Sequence, residues 1–198
     1  MRSLPLLALF ISAPAICAQS DEWAATVYAG VISGEPTWQD VIKDPFGANY
    51  ADSYLIAGAL SRSYAHFRNE GLRLEAEAQL VYNFGDQHHL EINAVPVVAR
   101  WRRFPWDERL ATSAAFGLGL SYATEVPELE VEQEGSSRKW LIYWVLELTA
   151  GPRAAPWAIT MRLHHRSVAW GLMGEDGGVN AVGLGLRYRF PASTGRRP

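Results

Sequence analysis

The sequence predicts an all-β protein, an eight-stranded antiparallel transmembrane β-barrel. Three observations predict it. Beyond the N-terminal leader, alternation at period two dominates and no stretch carries a convincing helical period. The alternating segments number eight and lie at about 23–33, 52–65, 72–84, 90–101, 110–122, 139–150, 157–167 and 179–190; each has about the 9–11 residues, or a little more, that a tilted membrane strand needs. An even number of strands, each with one apolar face, closes into a barrel in which no backbone edge meets lipid.

The first element is a leader. "MRSLPLLALFISAPAICAQS" has one early Arg, an apolar run from Leu4 to Ile11 and small residues around Ala15 and Ala18, the pattern of a secretory signal. The run is too short to span a bilayer as a helix. Cleavage is expected after Ala18, so that residues 1–18 are removed, or after Ser20. Cys17, the single cysteine, leaves with the leader, and no disulfide or thiol chemistry is expected in the mature chain. Ile16 before Cys17 argues against a lipoprotein site. The barrel then occupies 19–190, and "PASTGRRP", 191–198, forms a tail. A net charge of −3 over 198 residues points to one domain and gives no sign of a nucleic-acid partner.

The strand faces are clearest in "LRLEAEAQLVYNF". Leu72, Leu74, Ala76, Ala78, Leu80, Tyr82 and Phe84 share one face; Arg73, Glu75, Glu77, Gln79 and Asn83 share the other. In the fifth segment Phe116, Leu118, Leu120 and Tyr122 oppose Ser113, Ala115, Gly117, Gly119 and Ser121. The last sets Val182, Leu184, Leu186, Tyr188 and Phe190 against Ala181, Gly183, Gly185, Arg187 and Arg189. A soluble barrel with its apolar faces inward is the alternative. Against it stand charges deep inside strands (Arg73, Glu75, Glu77, Glu147, Arg162), apolar faces that end in aromatic residues such as Trp140, Trp144 and Trp157, and polar faces rich in Gly, Ala and Ser that suit a narrow lumen. The closing Tyr188-Arg189-Phe190 resembles the terminal signature of bacterial outer-membrane barrels, although eight residues follow it.

With both termini periplasmic, the connections after strands 2, 4 and 6 are periplasmic turns. Those after strands 1, 3, 5 and 7 are external: "GEPTWQDVIKDPFGANYA", the short "GDQHH", the acidic "EVPELEVEQEGSSR" and "VAWGLMGEDGG".

The seventh strand, "WAITMRLHHRS", then carries an unusual feature. Trp157, Ile159, Met161 and Leu163 face lipid, and the same side continues with His165 and Ser167 near the external end. Residues two apart on a strand point the same way, about 6.5 Å apart at Cα. Antiparallel pairing allows Asn180 of the eighth strand to sit beside His165. A hydroxyl, a base and an amide to orient that base are the minimum set for ester hydrolysis. Parity alone leaves the bland reading open, because polar residues cost only about 0–1 kcal/mol at the interface. His164 faces the lumen, where a carboxylate such as Glu75, Glu77 or Glu147 is its expected partner. His88 and His89 fall in the shortest external loop, and no metal or other cofactor is expected. Arg138 and Lys139, at the external start of the sixth strand, are lipid-phosphate contacts or ordinary rim charges.

The stretch "LHHRSVAWGLMGEDGGVNAVGLGLRYRF" resembles the C-terminal hairpin of PagL-type lipid A deacylases, eight-stranded outer-membrane esterases that remove the 3-position acyl chain of lipid A. His165-Arg166-Ser167 matches their His-x-Ser element, so the resemblance implies His165 as base and Ser167 as nucleophile. Gly178-Val179-Asn180 stands where the third member lies, with Asn180 in place of a frequent Glu. Val168 replaces the family's Asn after the serine, a residue implicated in the oxyanion site; one lost oxyanion donor costs about 10²–10³ in rate. The close resemblance covers roughly the last 35 residues. It implies a bacterial outer-membrane hydrolase acting on an ester-linked acyl chain of lipid A in lipopolysaccharide, catalysed by His165, Ser167 and Asn180. The expected partners are that substrate and outer-membrane lipid; a homodimer is left open. The competing readings are a non-catalytic barrel for adhesion or envelope integrity, and oxidation of the lipid A sugar, for which no metal or flavin motif is present.

Overall fold

The structure is a computed structural model, described here over residues 22–34, 37–67 and 69–190. The signal (1–18) and tail (191–198) expectations lie outside these residues. The described chain forms β1 (Trp23–Ser33), α1 (Trp38–Lys43), β2 (Tyr50–Phe67), β3 (Leu72–Gly85), β4 (His89–Trp101), β5 (Ala111–Ala123), α2 (Glu128–Glu134), β6 (Trp140–Gly151), β7 (Trp157–Ser167) and β8 (Gly178–Arg189). Each strand pairs antiparallel with its sequence neighbours, and β8 returns to β1 to close the barrel. The eight-strand, closed, antiparallel architecture is therefore as the alternation predicts.

Closure fixes which face each residue takes. Val27, Ile56, Leu80, Ile92, Leu118, Leu148, Ile159, Leu184 and Leu186 are exposed on the outside, while Glu75, Glu77, Glu91, Glu147, Arg162, His164 and Arg166 are buried in the lumen. This inverts the distribution of a water-soluble protein and suits a hydrocarbon surround. Aromatic residues mark both margins: Tyr82 stacks on Phe84 at 5.9 Å and Tyr122 lies 4.8 Å from Trp140 at one end, and Tyr188 meets Phe190 at 5.4 Å at the other. The first margin carries the connections after β1, β3, β5 and β7 and is called the loop end; the second, with short turns and the barrel's termini, is the turn end.

One register irregularity in β4 has a chemical cause. The shift between Ala94 and Val97 contains Pro96, which has no N–H to give to the ladder. Gly183 leaves room for the Tyr28 ring, which a Cβ would meet at 2.8 Å. Two lumen clusters result, one around Tyr28, Leu55, Val81 and Ala181, the other around Val95, Tyr143 and Val145.

Between them runs a polar lattice. Arg162 pairs with Glu77 at 2.8 Å and also with Glu147; Arg100 bridges Glu75 at 2.9 Å and Glu147 at 2.6 Å. His164 departs from expectation. Its Nε2 lies 3.2 Å from Glu91 and its Nδ1 3.3 Å from the Tyr28 hydroxyl, while Glu75, Glu77 and Glu147 are engaged by arginines nearer the turn end. His89 is not a loop residue: it opens β4, is buried, and lies 3.2 Å from the same Glu91. β3 and β4 are not neighbours of β7 and β8, but Glu91 brings His89 and His164 to one carboxylate across the lumen.

Two short helices depart from the all-strand reading. α1 lies in the β1–β2 connection. Thr37 caps it, accepting from the Asp40 N–H at 3.3 Å and donating its hydroxyl to the Asp40 carboxylate at 2.6 Å. α2 plugs the loop end of the lumen: Leu129 joins the Tyr28 cluster, and the buried Glu130 pairs with Arg166 at 2.9 Å.

Candidate functional site

The register of β7 and β8 places His165 opposite Asn180 and Ser167 opposite Gly178. On the other side β6 places Trp144 opposite His165. Val179 and Ala181 belong to the lumen cluster, so Asn180 faces outward with His165. The two are joined: His165 Nδ1 donates to Asn180 Oδ1 at 2.7 Å. An amide oxygen only accepts, which assigns the proton to Nδ1 and leaves the Nε2 lone pair free to take a proton. The Trp144 ring lies over the imidazole, centroids 4.4 Å apart and planes 32° apart. One face of the base is thereby closed to water, and its edge is held by an amide.

Ser167 ends the strand on the same outward side. Its Oγ accepts from the Ala169 N–H at 3.4 Å, and among the described residues no hydrogen bond links it to His165. Directly after it the chain turns sharply. Ala169, Trp170 and Gly171 have φ of 48°, 56° and 90°, three consecutive residues in the left-handed region. Such conformations are uncommon for non-glycine residues and gather at functional turns. Of the turn's backbone N–H groups, that of Ala169 approaches the serine, while those of Leu172 and Met173 bond to the Ala169 and Val168 carbonyls. Gly178, φ 133°, is required at this level, since a Cβ would meet the Arg166 carbonyl oxygen at 2.2 Å and the Ser167 Cα at 2.8 Å. Asn180 is only 5% exposed despite its outward parity.

Sequence reasoning missed a further residue. Trp38, on α1, meets Trp144 edge-on with ring centroids 5.5 Å apart, and Phe116 approaches Trp144 from the other side at 6.1 Å. A helix in the first long loop thus reaches an aromatic wall that ends on His165. Its signal was the Thr37-x-x-Asp40 cap pattern inside that loop, which marks a helix start but not its destination. Beside the site, Arg138, Lys139, Trp140, Leu172, Met173 and Gly174 line an open cleft. Lys139 Nζ is held by the Thr124 carbonyl at 2.6 Å, and Arg138 lies against Gly174. The two basic residues sit at the loop end, as expected, close to the turn that follows Ser167.

Comparison with known proteins adds the following. No family model matches the chain, and no curated protein matches it. Solved structures do. The outer membrane enzyme PagL aligns over 87% of this chain and 99% of its own, at 16% identity and a TM-score of 0.49. Neisserial surface protein A aligns over 87% of this chain and 100% of its own, at 11% identity and a TM-score of 0.50. The outer membrane protein OprG from Pseudomonas aeruginosa covers 87% of this chain and 97% of its own, at 12% identity and a TM-score of 0.41. The likeness extends to the barrel fold. A shared fold does not carry a shared activity, so catalysis is argued from the site.

Proposed function

We propose that this protein is a bacterial outer-membrane ester hydrolase that removes an ester-linked acyl chain from lipid A, with Ser167 as nucleophile, His165 as base and Asn180 as the residue that orients the base. The observation that carries the reading is the 2.7 Å hydrogen bond from His165 Nδ1 to Asn180, made on the lipid-facing side of a barrel two residues from a serine. An interfacial histidine that merely marks the end of the hydrocarbon has no need of a buried amide and a stacked tryptophan.

The chemistry follows from the tautomer. Ser167 Oγ attacks the ester carbonyl carbon as its proton passes to His165 Nε2. Backbone N–H groups of the 168–171 turn stabilise the oxyanion. Collapse expels the sugar hydroxyl, which takes the proton from His165, and leaves an acyl-serine. Water, deprotonated by His165, then releases the fatty acid and restores the serine. The serine and histidine approach to hydrogen-bond distance when substrate seats, since such contacts are often long in unliganded sites. The surroundings agree with a lipid substrate: Trp38, Trp144 and Phe116 offer an apolar wall for an acyl chain, fully exposed Trp170 and exposed Leu172 extend the apolar rim, and Arg138 supplies positive charge at headgroup level.

A fluorophosphonate ester tests the nucleophile. Labelling that maps to Ser167 and is lost in His165→Ala is expected; labelling of neither protein contradicts it. The competing reading, a non-catalytic surface barrel, draws on the missing Ser167–His165 hydrogen bond and predicts no labelling.

A further inference from the structure

The charge lattice is unevenly balanced at the turn end of the lumen. A small, partly open pocket there, about 50 Å³, is lined by Arg73, Arg100, Arg102, Arg187 and Arg189 but by only two carboxylates, Glu22 and Glu75. Both carboxylates are committed: Glu22 to Arg73, and Glu75 to Arg100 and Arg187, each at 2.9 Å. Three more reach in from outside the lining, Glu70 on Arg73, Glu147 on Arg100 and Glu77 at 3.9 Å from Arg187, and both Glu77 and Glu147 are shared with Arg162. With Arg162 counted, six guanidinium groups share five carboxylates.

The surplus falls on identifiable atoms. Arg100, which lines this pocket, is 4% exposed, and its buried Nη2 has no hydrogen-bond partner among the described residues. Arg102, in the β4–β5 turn, carries no side-chain hydrogen bond or ion pair among the described residues. Burial first, then the like charges of Arg73, Arg189 and Arg100, hold its pKa down to about 10 against the pull of Glu22. A buried guanidinium N–H without an acceptor costs free energy. Water alone fills the space but leaves the charge. The pocket's size is that of a few waters, at about 10–15 Å³ each, or of one tetrahedral oxyanion.

We propose that the turn end of the lumen is a binding site for a single oxyanion of the phosphate class, held by Arg100 Nη2 and Arg102 with Arg187 and Arg189 around it. Guanidinium groups bind phosphate oxygens through planar, paired N–H donors, and a multiply charged anion cancels the repulsion that now isolates Arg102. The site lies at the opposite end of β7 from Ser167 and is independent of the ester hydrolysis proposed above. The phosphate group comes from solution or from a phospholipid headgroup at the neighbouring membrane margin; the recognising chemistry is the same.

Calorimetric titration of inorganic phosphate into the full chain, folded in a maltoside detergent at constant ionic strength, tests the site. Saturable one-to-one binding that sulfate competes for and chloride does not is expected. Arg102→Gln weakens it about tenfold or more, while Arg109→Gln, on the outer surface of the same turn, leaves it unchanged. The absence of saturable heat, or equal affinity in Arg102→Gln whose circular dichroism matches the parent, overturns the proposal. Repeating the titration in micelles doped with phosphatidylglycerol assigns the source. Loss of phosphate binding supports a headgroup as occupant, and unchanged binding supports the free ion.

Discussion

His165 has two side-chain contacts, the Asn180 amide at its Nδ1 edge and the Trp144 ring on its face, and Ser167 stands two residues along the same side of β7. In the proposed reaction an amide fixes the tautomer but carries no charge to stabilise the imidazolium that forms as Ser167 gives up its proton. Two outcomes follow for purified protein acting on an ester-linked lipid. Asn180→Ala lowers kcat by about 10²-fold, since the ring loses its orientation, with KM little changed. Asn180→Asp retains activity and raises it if imidazolium formation limits the rate; a loss as large as that of the alanine variant would contradict the orienting role. That His165 and Asn180 face each other and that Ser167 shares their side was legible in the sequence, because strand parity and antiparallel pairing determine it. Trp38 was not, because α1 springs from β1 while Trp144 lies on β6, three strands round the barrel, and no periodicity encodes a contact between a loop and a distant strand.

The helix that brings Trp38 there is a six-residue element with a single buried residue, Val41. Its cap therefore matters more than its length. The Asp40 carboxyl is held below the usual carboxylate range by the Thr37 hydroxyl and then by Lys43. A depressed carboxylate stabilises above its ordinary pKa and loses that contribution as the pH falls through the lowered value, so α1 loosens only in acid. Trp38→Ala removes one edge-to-face aromatic contact, worth about 0.5–1.5 kcal/mol, and is expected to lower kcat/KM roughly two- to tenfold on a long-chain ester. The same variant leaves a short-chain ester unaffected, and an equal loss on both chain lengths would argue against an acyl-chain wall. α1 and α2 escaped the sequence reading for a physical reason. One or two turns give too few residues to show a 3.6 period, and "ELEVEQE" places Leu129 and Val131 two apart, the spacing of a strand.

At the scale of the molecule, stability rests on an inside-out arrangement: hydrocarbon against the exterior, and within it a buried ionic lattice beside two small apolar clusters. Arg162, 1% exposed, is its hub, joining Glu77 and Glu147. Removing one member of such a group strands the opposite charge in a low-dielectric interior. Arg162→Ala should thus destabilise the barrel by about 3–5 kcal/mol, seen as a lower unfolding temperature in detergent, whereas Leu186→Ala on the outer surface costs much less. Closed topology, strand number and the facing of nearly every residue were legible in the chain because a period of two has only one solution that hides every backbone edge from lipid. Which charges meet across the lumen was not. His164 finds Glu91 rather than Glu75, Glu77 or Glu147 because the stagger of strands around a barrel, set by its shear, decides the level at which opposite walls face each other. The central claim is that this barrel uses Ser167 to cut an acyl ester of lipid A. Mass spectra of lipid A from outer membranes containing the wild-type protein or Ser167→Ala test it most directly. The wild type should give a species lighter by one ester-linked hydroxyacyl chain, absent with Ser167→Ala, and lipid A unchanged by both folded proteins would contradict it.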